Sequence, residues 1–248
     1  MITLENLFNE EQKARLAGAI PLRRSCRSFA APLSEADYGA LCYAAARYAL
    51  PGARLQILRV GESLFTGTLL NMGRVSGCTV VAAVIAQTTV ERSRMRAGIL
   101  GEALTLEAVA MGLGCCWISG TYRKKNLHVT LRDGEALLGI IALGVPSGPR
   151  EVPTRRRKSL ERLCRGKGAL WPEPCRKAAA AVREAPSALN LQPWTMAMDH
   201  DRFILHAPDR AQLELGIALC HAELALDVPH TWYFARGRKD PAAWARMA

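Results

Sequence analysis

No stretch of this 248-residue chain stays apolar for the ~20 residues that a membrane-spanning helix needs. The longest apolar runs, Thr79 to Ala86 and Ala136 to Val145, are far shorter and read as buried strands. The opening residues, Met1-Ile2-Thr3-Leu4-Glu5-Asn6, lack a basic segment followed by an apolar core, so the expected address is the cytoplasm. None of the eight cysteines forms a C-x-x-C pair, and the adjacent Cys115 and Cys116 have a spacing that strains any disulfide; buried free thiols are expected. The five histidines (His128, His200, His206, His221 and His230) lack zinc-type spacing, so no metal is expected. Phosphate-loop, nucleophile-elbow and paired-carboxylate patterns are missing as well. Between Arg150 and Lys167 there is no aromatic residue, although eight basic residues (150, 155, 156, 157, 158, 162, 165 and 167) face only Glu151 and Glu161. The formal net charge of +11 raises the question of nucleic acid, but without stacking side chains this run reads as a solvated connector.

What is present is an internal repeat. A shift of 135 residues places Ala44-Ala45-Ala46 on Ala179-Ala180-Ala181, Pro51 on Pro186, Gly52 on Ser187 and Ala53 on Ala188. Each copy reads as helix, Pro-small turn, strand, and Leu100-Gly101 recurs as Leu215-Gly216 in a later helix. The spacing predicts helices over 10–18, 35–49, 93–111, 175–184 and 212–226, with Ser34 capping the second. Strands are predicted over 54–60, 78–86, 137–145 and 230–235, with a hairpin over 195–207 turning at Asp199-His200-Asp201. Such a mixture argues for an α+β fold: a nearly complete unit over 1–165 and a shortened second unit over 168–248.

Three segments carry chemistry. Arg23-Arg24-Ser25-Cys26-Arg27 offers three guanidinium forks and a hydroxyl, which suits a phosphate dianion. In an extended backbone Arg23, Ser25 and Arg27 would face one side and Arg24 the other; the plainer reading is a basic surface strand. In Ala185-Pro186-Ser187-Ala188-Leu189-Asn190-Leu191-Gln192-Pro193-Trp194, two prolines bracket a loop where Ser187 and Asn190 can meet a heteroaromatic edge. The same residues also suit a helix-to-strand turn in which Trp194 plugs the core. Gly112 to Gly120 ends a long helix, with glycines that permit a left-handed cap and a close approach.

Together these motifs resemble the nitroreductase superfamily of FMN enzymes. The resemblance implies that Arg23, Arg24, Ser25 and Arg27 grip the flavin phosphate, completed by Arg157 and Lys158 of the basic run. It places Pro186, Ser187, Asn190 and Gln192 on the ribityl chain and ring, and Ile118, Ser119 and Gly120 where a backbone N–H reaches the ring. Each half of the chain keeps one side of the site, so the expectation is an intramolecular pseudo-dimer, a monomer binding one FMN. The implied reaction is two-step hydride transfer from NAD(P)H to an acceptor such as a nitroaromatic or quinone, with no side chain as acid or base. The alternatives are other flavin chemistry such as reductive dehalogenation or flavin destruction, a non-catalytic FMN-binding or sensing module, and a basic nucleic-acid-binding protein.

Overall fold

The computed structural model describes residues 4, 7–65, 75–148, 156–235 and 242–247; Arg150 and Arg155 of the basic run lie outside them. The chain forms two compact units, one of Leu22–Thr154 and one of Met1–Pro21 together with Arg155–Ala248. The opening helix, α1 (Glu10–Ala19), therefore belongs with the C-terminal half, whereas the repeat reading has it open the first unit. A capping box starts it: the Asn9 side chain accepts from the Gln12 N–H, and the Gln12 side chain accepts from the Asn9 N–H.

In the Leu22–Thr154 unit, β1 (Phe29–Ala31) and α2 (Glu35–Arg47) lead into β2 (Ala53–Arg59) and β3 (Val80–Gln87). The buried helix α3 (Ser93–Ala110), then β4 (Gly114–Ile118) and β5 (Glu135–Pro146), complete it. Ser34 caps α2 as predicted, accepting from the Asp37 N–H at 3.0 Å. All pairings are antiparallel, with β2 on β3, β3 on β5 and β4 on β5. Short β1 joins the end of β5. Strand β3 is buried from Val80 to Ala86 because α3 covers one face of the sheet and an apolar cluster around Phe65, Val75, Tyr122 and Leu127 covers the other. Burial on both faces explains why its sequence runs apolar instead of alternating. The strand β4 was not expected; Gly112 to Gly120 reads locally as a helix end, and only pairing with distant β5 makes it a strand.

The other unit contains α1, the one-turn helix α4 (Leu160–Leu163), α5 (Glu173–Glu184), β6 (Thr195–Asp199) and β7 (Arg202–His206). It closes with α6 (Gln212–Ala225), β8 (His230–Phe234) and β9 (Ala242–Met247). Its sheet order is β6-β7-β9-β8, again antiparallel. Numbered within each unit, the strands β2 to β5 and β6 to β9 share one order, first-second-fourth-third. In both, a helix precedes the first strand and another links the second to the third. The repeat read from Pro51 and Pro186 is thus a repeat of topology. It slips in register because β2 starts two residues after Pro51 and β6 nine residues after Pro186. Among the described residues no helix is long and apolar enough to cross a membrane.

Both central helices are buried nearly all round, and each carries a carboxylate out of water. In α3, Glu102 is fully buried; it accepts from Trp117 Nε1 of β4 at 2.8 Å and pairs with Arg23 Nε at 3.8 Å. In α6, Glu223 is 2% exposed and accepts from Trp232 Nε1 of β8 and His230 Nε2, both at 2.8 Å, while Lys13 Nζ of α1 lies at 3.0 Å. His230 Nδ1 faces the Val228 carbonyl at 2.7 Å. With an acceptor opposite each ring nitrogen, the ring is satisfied only as an imidazolium with two N–H donors. Burial alone would push the His230 pKa down, but its bonds to Glu223 and the Val228 carbonyl, with the Glu223 charge, hold it above 6.5.

Two predictions follow from these buried acids. Because the folded pKa of His230 is raised, its contribution to stability is complete below the unfolded value near 6.5 and is lost as pH rises through the folded pKa. Urea midpoints should fall with rising pH above 6.5 in the parent. In His230→Asn that decline should shrink, and identical pH profiles for the two proteins would refute the imidazolium assignment. In the other unit, Arg23→Met removes a cation from beside buried Glu102 and should cost about 3 kcal/mol or more. Adding Glu102→Gln, which keeps an acceptor for Trp117 Nε1, should recover much of the loss in urea unfolding. No recovery would mean that Arg23 acts by packing and not by charge.

Candidate functional site

The Arg23-to-Arg27 segment follows a 3-10 turn (Ile20–Leu22) and runs beside the free edge of β4. The Cys26 N–H donates to the Cys115 carbonyl at 2.8 Å, and a parallel bridge joins Ser25 to Cys115. The segment then crosses to Ser76, whose N–H donates to the Arg27 carbonyl at 2.9 Å. Gly114 allows this approach, since a side-chain carbon there would meet Cys26 Cβ and Sγ at 2.8 Å. Gly112, with φ of 86°, supplies the left-handed turn that ends α3. One glycine thus makes the cap and the other admits the neighbouring chain segment.

The expected alternation of the arginines holds only in part. Ser25 and Arg27 are exposed, but Arg23 is 2% exposed and turned toward Glu102. Arg24 is half-buried and donates Nη1 to the Arg23 carbonyl at 2.8 Å. The reason is local: Arg23 leaves a helical turn, so the extended register begins only after it. The Arg27 guanidinium makes no hydrogen bond or ion pair among the described residues, and Arg23 Nε is a buried donor without a hydrogen-bond partner among them. The Arg27 donors thus fit an anion that the protein itself does not supply, whereas Arg23 Nε already faces the Glu102 carboxylate.

Burial disfavours the thiolate form of the cysteines beneath this segment. Burial pushes Cys115 up to about 12, and it raises Cys116 despite the opposing charges of Arg27 and Arg23 and the hydroxyl of Ser25. Six of the eight cysteines are buried, with Cys26 and Cys42 partly exposed. Ile118 is buried at the end of β4, and Ser119 and Gly120 follow it into solvent. Their backbone N–H groups have no acceptor among the described residues.

The remaining candidates gather in the other unit. Helix α5 stops before buried Pro186, and the chain then makes a turn in which Leu189, Asn190 and Gln192 have φ of 50°, 56° and 43°. For Leu and Gln this left-handed backbone costs on the order of 1–3 kcal/mol each, so surrounding contacts must hold it. The Gln192 N–H donates to Ser187 Oγ at 2.8 Å. Buried Gln192 accepts the Lys158 N–H at Oε1 and donates Nε2 to the Arg183 carbonyl. Lys158 Nζ donates to the Gln192 carbonyl at 2.9 Å. Asn190 Nδ2 donates to the Arg156 carbonyl at 2.6 Å, and its Oδ1 accepts from Arg157 Nη1 at 2.7 Å. Trp194 is buried below the loop, whereas Leu189 and Leu191 stand 77% and 59% exposed.

An amide can make four hydrogen bonds and Asn190 makes two here, so an N–H and a lone pair remain; the Ser187 hydroxyl likewise keeps its own O–H to donate. That set fits the edge of a heteroaromatic ring. Sequence reasoning missed Arg183, whose Nε donates to the Lys158 carbonyl, and Glu102. A basic residue in the last turn of α5 and an acid amid the apolar middle of α3 were the available signals. Among the described residues no group of His, Cys, Asp or Glu side chains could hold a metal ion.

A family model described as "Putative TM nitroreductase" matches residues 15–226. A solved structure described as a putative nitroreductase from Thermotoga maritima is 21% identical, covering 94% of this chain and 93% of that one, with a TM-score of 0.64. A nitroreductase family protein from Clostridium difficile is 15% identical over 62% of this chain and 96% of that one, with a TM-score of 0.46. An NADPH:FMN oxidoreductase from Vibrio harveyi, solved with NAD+, is 20% identical over 57% and 73%, with a TM-score of 0.44. No curated protein matches the sequence. The Thermotoga likeness shows the fold, and the family model runs through both units from within α1 to just past α6: the chain belongs to this nitroreductase family of oxidoreductases.

Proposed function

We propose that this chain binds FMN and acts as an NAD(P)H-dependent oxidoreductase. The observation that carries the reading is the pair of exposed donors, Ser25 and Arg27, beside β4, with no protein acceptor for the Arg27 guanidinium among the described residues. Ser25 and Arg27 would hold the phosphate, with Arg24 adding a donor and Arg23, paired with Glu102, fixing the backbone from which they project. Ser187 and Asn190 would orient the ring through their remaining hydrogen-bonding capacity, and the N–H of Ser119 or Gly120 would stabilise negative charge on it. When bound, FMN would supply the hydride relay between NAD(P)H and an acceptor such as a nitroaromatic or quinone. The chain carries one R-R-S-x-R segment and one Pro-Ser loop, which supports one FMN per chain.

Equilibrium dialysis should show uptake of one FMN per chain, and NAD(P)H should bleach the bound flavin under anaerobic conditions. Arg27→Ala should weaken FMN binding about 10- to 100-fold, the loss of a charge-assisted contact, while Arg165→Ala leaves it unchanged. Folded protein that takes up no flavin would overturn the assignment.

A further inference from the structure

Arg157 stands in the basic run where the sequence suggests a phosphate donor, yet its guanidinium is turned into its own unit. Nη1 donates to the Ala185 carbonyl at 3.0 Å and to Asn190 Oδ1 at 2.7 Å, and Nη2 donates to the Glu184 carbonyl at 2.8 Å. Two of these acceptors are carbonyls at the C-terminal end of α5, where the helix leaves carbonyls without intrahelical donors and gathers partial negative charge. The third is the side chain of a left-handed loop residue. One planar fork thus joins the end of a rigid helix to the middle of the strained loop. Turning it toward a phosphate would strip donors from three acceptors at once.

We propose that Arg157 is a positioning residue. It fixes the Ser187–Gln192 loop in its left-handed shape by bridging the end of α5 to Asn190, and it makes no contact with the phosphate. Lys158 is the second tie, through its backbone N–H and Nζ to Gln192. The role assigned to the loop, though not the clamp itself, rests on the FMN reading above.

Two measurements test it. Hydrogen exchange on the flavin-free chain reads the clamp directly: Arg157→Ala should speed exchange of the amides of Asn190, Leu191 and Gln192 while leaving β6 and β7 as in the parent. Binding of FMN and of riboflavin, which lacks the phosphate, then reads what the clamp is for. Arg157→Ala should weaken both flavins by the same factor, roughly 10-fold, whereas Arg27→Ala should weaken FMN and spare riboflavin. Arg157→Lys keeps the charge but cannot span three acceptors, so it should show the same equal loss at smaller size. If Arg157→Ala loses FMN affinity while keeping that for riboflavin, Arg157 is a phosphate ligand and the proposal is overturned. Unchanged loop exchange overturns it too. A parent that binds neither flavin defeats the FMN reading, and the exchange measurement still decides the clamp.

Discussion

A carboxylate taken out of water must find a cation and hydrogen-bond donors, and in this protein that requirement decides what docks on each central helix. Glu102 of α3 and Glu223 of α6 are met in the same way: an indole N–H from the third strand of the unit, Trp117 or Trp232, and a cation from a segment outside the repeated core. In the Leu22–Thr154 unit that cation is Arg23, so satisfying α3 also anchors the start of the Arg23-to-Arg27 segment against β4. In the other unit it is Lys13, and α1 is held to α6. The two acids do not align in the repeat, since matching Leu100 to Leu215 places Glu102 on Ile217. The two units therefore share a solution and a topology, but not the residue position.

The anchoring of Arg23 also divides labour within its motif. A guanidinium pinned by a buried acid cannot swing, and it fixes the backbone from which Ser25 and Arg27 project. The Pro-Ser loop is built on the same logic with different chemistry. Its shape is imposed by Ser187, Gln192, Lys158 and Arg157, which leaves Ser187 and Asn190 with capacity to spare and Leu189 and Leu191 standing outward. Holding polar groups in place before a ligand arrives reduces the ordering that binding would otherwise require.

Local signals were enough for much of this fold. Ser34 before an alanine-rich stretch marked α2, the apolar run around Val80 to Ala86 marked a doubly covered strand, and Asp199-His200-Asp201 marked the hairpin. Features that depend on distant partners were not legible. Strand β4 exists because Gly114 to Ile118 pairs with β5, and β9 because Ala242 to Met247 lies between β7 and β8. The motif residues could be read as types but not as partnerships. Nothing in Arg155-Arg156-Arg157-Lys158 says that Arg157 will cap a helix ending at Glu184, since capping of this kind is settled by the approach of two segments.

The tie between Lys13 and Glu223 has a bearing on how the molecule is made. The two residues lie 210 positions apart in sequence. On the ribosome α1 emerges long before its docking surface on α6, so the helix must wait with its partner still unmade while the residues between them are added. The Leu22–Thr154 unit can meanwhile complete its sheet from a continuous stretch of chain. Synthesis order thus favours the Leu22–Thr154 unit folding first, while the other closes around a helix made ahead of it.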